Sequence, residues 1–316
     1  MKTIQLNNGQ VMPAFGLGTW KSDPGEVGRA VTEAIRVGYR HIDCAWIYGN
    51  EAEIGEALQV LFDAGEVTRE ELWITSKLWN DCHQPEDVEG ALRGTLESLR
   101  LAYLDLYLVH WPVAHRKGVA VPTSGDEMLS LDKVPYAGTW AAMEDIADAG
   151  LARSIGVSNL SVAKLGAVLD GARIRPAVNQ IELHPYLQQD DMLAFCAREG
   201  VTLTAYSPLG SRDRVAAMRL EDEPVLLEDP VLATVAAKHG VSPAQVLIAW
   251  ALARGTSVIP KSANPERIRQ NLDATEIELD ADDMAEIAKL DRHRRYVDGT
   301  FWEIEGGPYK VDELWA

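Results

Sequence analysis

The chain has 316 residues, 47% of them hydrophobic and 25% charged, a composition that excludes a disordered protein and gives length enough for a sizeable core. Its 30 basic against 48 acidic residues leave a formal charge of -18, which repels nucleic acid and anionic membranes and argues against either as a partner. The acidity reads as a solvated, self-repelling surface, and the expectation is a monomer.

The opening MKTIQLNNGQVMP lacks the apolar core and small-residue cleavage site of a secretory leader. No window reaches the roughly 18 apolar residues of a membrane span. The expected location is the cytoplasm. Cys44, Cys82 and Cys196 are too few and too scattered for a disulfide framework, and there is no CxxC or HExxH spacing. Free thiols and no metal are expected.

The chain starts with a hairpin, TIQL and QVMP around the turn Asn7-Asn8-Gly9. Short apolar runs then alternate with amphipathic stretches over the whole length. Strands are predicted at FGLG from Phe15, RHID from Arg40, LWITSK from Leu72 and LDLYLVH from Leu104. Four more follow at ARSIGVS from Ala152, AVNQIE from Ala177, TLTAYS from Thr202 and SVIPKS from Ser257. Between them lie helices such as GEVGRAVTEAIRVG and PEDVEGALRGTLESLR, with apolar residues at spacings of three and four and Pro85 at a helix start. Eight strand–helix units without a linker predict a single α/β domain over residues 1–316, a closed (β/α)8 TIM barrel with an N-terminal hairpin. Three segments exceed ordinary connections: Trp111 to Gly138, Ser207 to Glu228, and the tail after Leu290. They are expected to be long loops on the C-terminal face that build a pocket.

Active sites of such barrels form at the C-terminal strand ends. Strand two ends in Asp43 and leads to Tyr48, strand three ends in Lys77 and strand four in His110. Each alone has a structural explanation: a helix cap, a packed ring, a snorkelling amine, a hydrogen-bonded core imidazole. Together they make a mechanism. A phenol that titrates near 10 is a weak acid unless a cation stabilises its phenolate. Lys77 can be that cation, Asp43 can fix Lys77, and His110 can orient a substrate oxygen.

FGLGTWK places Lys21 where a dinucleotide fingerprint needs its third glycine, so a nucleotide would be held otherwise. Strand eight ends in Lys261 and Ser262, with Arg267 opening the next helix. A cation, a hydroxyl and a guanidinium there suit a phosphate monoester. Trp20, Trp79 and Trp111 follow strands one, three and four and can wall an apolar pocket, which Trp46 is placed to join.

The chain resembles the aldo-keto reductase superfamily through GYRHIDCAWIYGNEAEIG at Gly38–Gly55, SKLWN at Ser76–Asn80 and LYLVHWP at Leu106–Pro112. The likeness continues through GVSN at Gly156, NQIELHPY at Asn179, AYSPLGS at Ala205 and IPKSANPERIRQN at Ile259. Within the superfamily it is most similar to the NADPH-dependent aldehyde reductases, through GLGTWKSDPGEV, EVTREELWITSKLWN and DEPVLLEDPV. The resemblance implies a tetrad of Asp43, Tyr48, Lys77 and His110 that reduces a small carbonyl substrate. It implies NADPH/NADP+ as cofactor, with Lys261, Ser262, Asn264, Arg267, Gln270 and Asn271 on the 2′-phosphate and adenine. Ser158, Asn159 and Gln180 would meet the nicotinamide carboxamide, with Tyr206 stacked beneath the ring and Thr19 and Trp20 among the contacts. Ser207, Leu209, Ser211 and Asp213 would fold over the pyrophosphate. Substrate contacts would come from Trp20, Trp79, His110, Trp111 and, from the tail, Trp302. Related mammalian enzymes carry a tail arginine for carboxylated substrates; after Arg295 this tail has only Lys310. A noncatalytic nucleotide-binding member of the same fold is the alternative.

Overall fold

The computed structural model describes residues 2–212, 214, 219 and 223–316. An antiparallel hairpin, β1 (Thr3–Gln5) with β2 (Val11–Pro13), precedes β3 (Leu17–Gly18) and α1 (Val27–Val37). Then come β4 (His41–Asp43), α2 (Glu51–Asp63), β5 (Trp73–Leu78), α3 (Pro85–Leu99) and β6 (Leu104–Val109). The long connection after β6 carries a small hairpin, β7 (Ala114–His115) with β8 (Met128–Leu129), before α4 (Tyr136–Asp148). The barrel resumes with β9 (Ala152–Ser158), α5 (Val162–Gly171), β10 (Val178–Glu182), α6 (Asp190–Glu199) and β11 (Thr202–Tyr206). Next are α7 (Pro230–His239), α8 (Pro243–Ala253), β12 (Ser257–Val258), α9 (Pro265–Asp273), α10 (Ala281–Ala288) and α11 (Val311–Trp315).

Local chemistry sets these boundaries. Pro85 sits at the first turn of α3, with Glu86 and Asp87 favouring its positive end, while Val88, Leu92, Leu96 and Leu99 recur on the buried face. In α8, Ser242 and Gln245 form a capping box and Pro243 opens the helix. Asn264 caps α9 by accepting from the Arg267 N–H at 3.0 Å.

Eight parallel strands run in the order β12-β11-β10-β9-β6-β5-β4-β3, as the alternation predicts. The sheet closes on itself. Gly16 N–H donates to Val258 O at 3.0 Å, Val258 N–H to Ala14 O at 2.9 Å, and Gly18 N–H to Pro260 O at 3.1 Å. The N-terminal hairpin seals the floor: Leu6 and Met12 are buried against Trp73, Leu106, Leu108, Ala177 and Val178. Asn7 and Asn8 tie its turn to Pro176 O and Ser154 Oγ. Among the described residues three helices exceed the eight-unit count, α7, α10 and α11; α7 and α10 pack together, where Lys238 and His239 both meet Asp283 at 2.7 Å.

The closing seam leaves no room at Gly18, where an added Cβ would stand 2.7 Å from Ile259 O. That oxygen is backbone, so the strand cannot yield without opening the seam. Gly18→Ala should destabilise the fold by about 1–3 kcal/mol, read as a lower denaturation midpoint at unchanged urea dependence.

Candidate active site

The strand ends bring Asp43, Tyr48, Lys77 and His110 to one mouth. Lys77 lies inside β5 with no exposure. Its ammonium donates to Asp43 Oδ2 at 2.6 Å, to Cys44 O at 2.8 Å and to the Tyr48 hydroxyl at 3.4 Å. Tyr48 ends a 3-10 turn, Trp46–Tyr48, that follows β4 and turns the phenol back over the strand ends. His110 follows β6 directly, and its ring centroid is 6.0 Å from that of Tyr48 at a steep angle.

Burial and charge pull against each other here. Burial drives the Tyr48 phenol up to about 12, while the nearby Lys77 cation draws it back. The group is therefore protonated at neutral pH, with a cation beside the phenolate it would become. Burial penalises the Lys77 ammonium, but Asp43 and Tyr48 outweigh it and hold the amine above its ordinary range. Burial and Lys77 push His110 well down, so its imidazole is neutral. The Nδ1 of His110 is buried and has no hydrogen-bond partner among the described residues. A buried N–H lacking an acceptor costs more than a bare ring nitrogen, which places the proton on Nε2.

A second ring of polar groups supports these four. Gln180 donates to Asp43 Oδ1 at 2.7 Å, and Thr19 donates its hydroxyl to Asp43 O at 2.7 Å. Asn50 holds Thr19 O at 2.9 Å. Asn159, buried at φ 62°, donates to His110 O at 2.9 Å and accepts from the Tyr206 hydroxyl at 2.7 Å. Ser158 donates to Gln180 O at 2.8 Å. The polar set that resemblance turns toward a carboxamide is thus already wired to Asp43 and His110. The link from Gln180 to Asp43 and the role of Asn50 escaped the sequence reading. Buried amides at strand ends were the visible signal.

Aromatic rings roof the mouth. Trp79 lies 5.1 Å from His110 and 5.9 Å from Trp302, and Trp111 lies 5.8 Å from Trp302, all centroid to centroid. Trp20 lies roughly parallel to Tyr48 at 6.3 Å. Trp79 Nε1 donates to Ala120 O at 2.6 Å, anchoring the wall to the long connection. Tyr309 accepts from Ala114 N–H and donates to Leu129 O, pinning the tail across the pocket. Trp46 is 44% exposed and stands outside this cluster. Lys310 pairs with Glu303 at 3.0 Å on the surface, so its charge is already engaged.

Lys261 pairs with Gly18 at the barrel seam, and Arg267 lies in the first turn of α9. Among the described residues neither has a carboxylate partner, although cations at a helix start are electrostatically misplaced. Ser262 Oγ accepts from Asn264 N–H at 3.2 Å. Gln270 is exposed and Asn271 is buried on the same helix. This donor set fits a phosphate monoester. Ser207, Leu209 and Ser211 follow β11 at the same face, with Ser207 donating to Ser211 Oγ at 3.0 Å. Asp213 lies outside the described residues.

The profile of the aldo/keto reductase family matches residues 12–292, and the chain belongs to that family of oxidoreductases. It is 57% identical over 315 residues to an aldo/keto reductase of Synechocystis sp., covering all of this chain and 96% of that one. It is 50% identical over 296 residues to human aldo-keto reductase family 1 member A1, covering 93% and 90% of the two chains. A solved aldose reductase from Schistosoma japonicum superposes with a TM-score of 0.87 at 41% identity, covering 95% of this chain and 96% of that one.

The Asp43–Lys77 pair yields a pH test. In the native chain Lys77 titrates above its ordinary value of 10.5, so its contribution to stability is complete below that value and is lost only as pH rises through the folded pKa. In Asp43→Asn the burial penalty remains without its counterweight, and the folded pKa falls below that of the unfolded chain. The unfolded chain then binds more protons, so stability rises with pH. Denaturant unfolding should show a loss of about 3–5 kcal/mol near neutral pH, partly recovered in alkaline buffer, with no such recovery in the native chain.

Proposed function

We propose that this chain reduces aldehydes, and some ketones, to alcohols with NADPH, and that Tyr48 is the general acid. The observation that carries the reading is the buried Asp43–Lys77–Tyr48 chain with neutral His110 facing it beneath tryptophans. When bound, the reduced nicotinamide supplies the hydride.

The protein's own groups do the rest. His110 Nε2–H and the Tyr48 hydroxyl offer two donors to a carbonyl oxygen, which fixes and polarises it. As charge develops on that oxygen, Tyr48 gives up its proton, and Lys77 stabilises the phenolate left behind. Asp43, held by Gln180, keeps Lys77 charged and in place. The aromatic walls exclude water and favour an apolar aldehyde. Lys310, engaged with Glu303, gives no support to carboxylated substrates. The acidic surface supports a monomer through self-repulsion, and the cytoplasm is the location we infer.

Lys261, Ser262 and Arg267 would take the 2′-phosphate of NADPH, supported by Asn264, Gln270 and Asn271. Ser158, Asn159, Gln180 and Tyr206 would seat the nicotinamide, and Thr19 and Trp20 would border it. The support is Lys261 just ahead of α9 and Arg267 in its first turn, neither with a carboxylate partner among the described residues, together with the amide network beside the tetrad.

Two outcomes follow. Tyr48→Phe should lower kcat/KM for an aromatic aldehyde about 100- to 10,000-fold while NADPH binding, followed by quenching of tryptophan fluorescence, persists. Intact turnover would instead favour a nucleotide-binding role with another acid or none. Arg267→Ala should weaken NADPH about 10- to 100-fold, the scale of a charge-assisted hydrogen bond, and leave NADH nearly unmoved. Equal losses with both cofactors would remove the phosphate assignment.

A further inference from the structure

The described ends of the Ser207–Glu228 connection grip Tyr296 and Arg294 of the tail. Tyr296 donates its hydroxyl to Pro224 O at 2.7 Å. The buried Arg214 guanidinium lies over the Tyr296 ring, 4.6 Å from its centroid. Glu223 takes both Arg214 and Arg294, the latter at 3.1 Å. Gly210, at φ 81°, sits so close that a Cβ there would stand 3.4 Å from the Tyr296 ring and 2.9 Å from Leu226.

The backbone of the same residue belongs to the pocket side. The N–H groups of Tyr296 and Val297 donate to the Glu182 carboxylate at 2.7 and 2.8 Å, and His184 Nε2 meets it at 2.8 Å. Glu182 ends β10, two residues beyond Gln180. The Val297 side chain is buried in the aromatic cluster with Trp79, Trp111 and Trp302. One carboxylate thus holds two successive peptide units, the one that carries the Tyr296 ring and the one that carries the Val297 side chain.

We infer that Tyr296 is a positioning residue that links retention of the cofactor to the shape of the substrate pocket. The inference rests on the reading that Ser207, Leu209 and Ser211 lie against the pyrophosphate of NADP(H). A pyrophosphate held there fixes Gly210 and Arg214. These set the Tyr296 ring, and through it Val297 in the pocket wall. Linkage makes the effect reciprocal: a substrate too large for the wall displaces Val297 and loosens the cofactor, while bound cofactor stiffens the wall.

Tyr296→Phe keeps the ring and loses only the bond to Pro224. Glu223→Gln keeps the size and cuts the ion pairs to Arg214 and Arg294. Stopped-flow fluorescence should show NADP+ leaving Tyr296→Phe about 3- to 10-fold faster, the scale of one hydrogen bond. The KM for a two-ring aldehyde should shift by a similar factor, whereas the KM for propanal should stay put and the melting temperature should fall by no more than about 2–4 °C. Calorimetry of a two-ring alcohol with and without NADP+ should give an affinity ratio that moves toward one in both variants.

Unchanged release and an unchanged affinity ratio in both variants would overturn the inference, as would a uniform loss across substrates accompanied by a larger fall in melting temperature. Either result would leave the reductase reading standing if the native chain still binds NADPH and reduces aldehydes. A native chain that binds no NADP(H) would instead defeat the parent reading.

Discussion

A lysine with no solvent exposure is the constraint around which the active face is arranged. An ammonium buried that deeply persists only if its charge is answered, and Asp43, Cys44 O and the Tyr48 hydroxyl are the three groups that answer it. Asp43 needs its own support, which Gln180 supplies at its other carboxylate oxygen. The polar ring then extends through Ser158 to Asn159, and from there to His110 and Tyr206. Loss of one member exposes its neighbour to an unpaired burial, so the network behaves as a unit.

The barrel makes this affordable. Parallel strands bring Asp43, Lys77, Ser158, Gln180 and Tyr206 to one rim: the registers pair Asp43 with Thr75, two residues before Lys77, Gln180 with Ser158, and Glu182, two residues beyond Gln180, with Tyr206. Side chains that lie over a hundred residues apart in sequence meet without any bend in the backbone. The rigid parts hold the charged chemistry, and the long connections hold what distinguishes one ligand from another.

How much of this was legible in the sequence depends on distance along the chain. The eight strands were readable because each is a short apolar run between punctuated amphipathic helices. The convergence of Asp43, Tyr48, Lys77 and His110 on one mouth was readable because each stands at or just after the end of a predicted strand. The small β7–β8 hairpin was not, since its strands lie within one long connection rather than between amphipathic helices. The bond from Gln180 to Asp43 spans 137 positions, and nothing local signals it. Glu182 looked like any strand-end carboxylate, and its hold on the tail emerges only when Tyr296 and Val297 arrive beside it. Trp46, next to pocket residues in sequence, is left 44% exposed by the 3-10 turn.

The hairpin at the start of the chain gives the molecule two unlike ends. Leu6 and Met12 plug the face away from the chemistry, whereas the last residues lie against α5, where Ser161 and Lys164 hold the backbone oxygen of Ala316. Trp315, just before, touches Trp111 in the pocket wall. A handle for purification or for tethering to an electrode or bead therefore belongs ahead of Lys2, where it points away from the working rim. The same handle placed after Ala316 would pull on the aromatic wall itself.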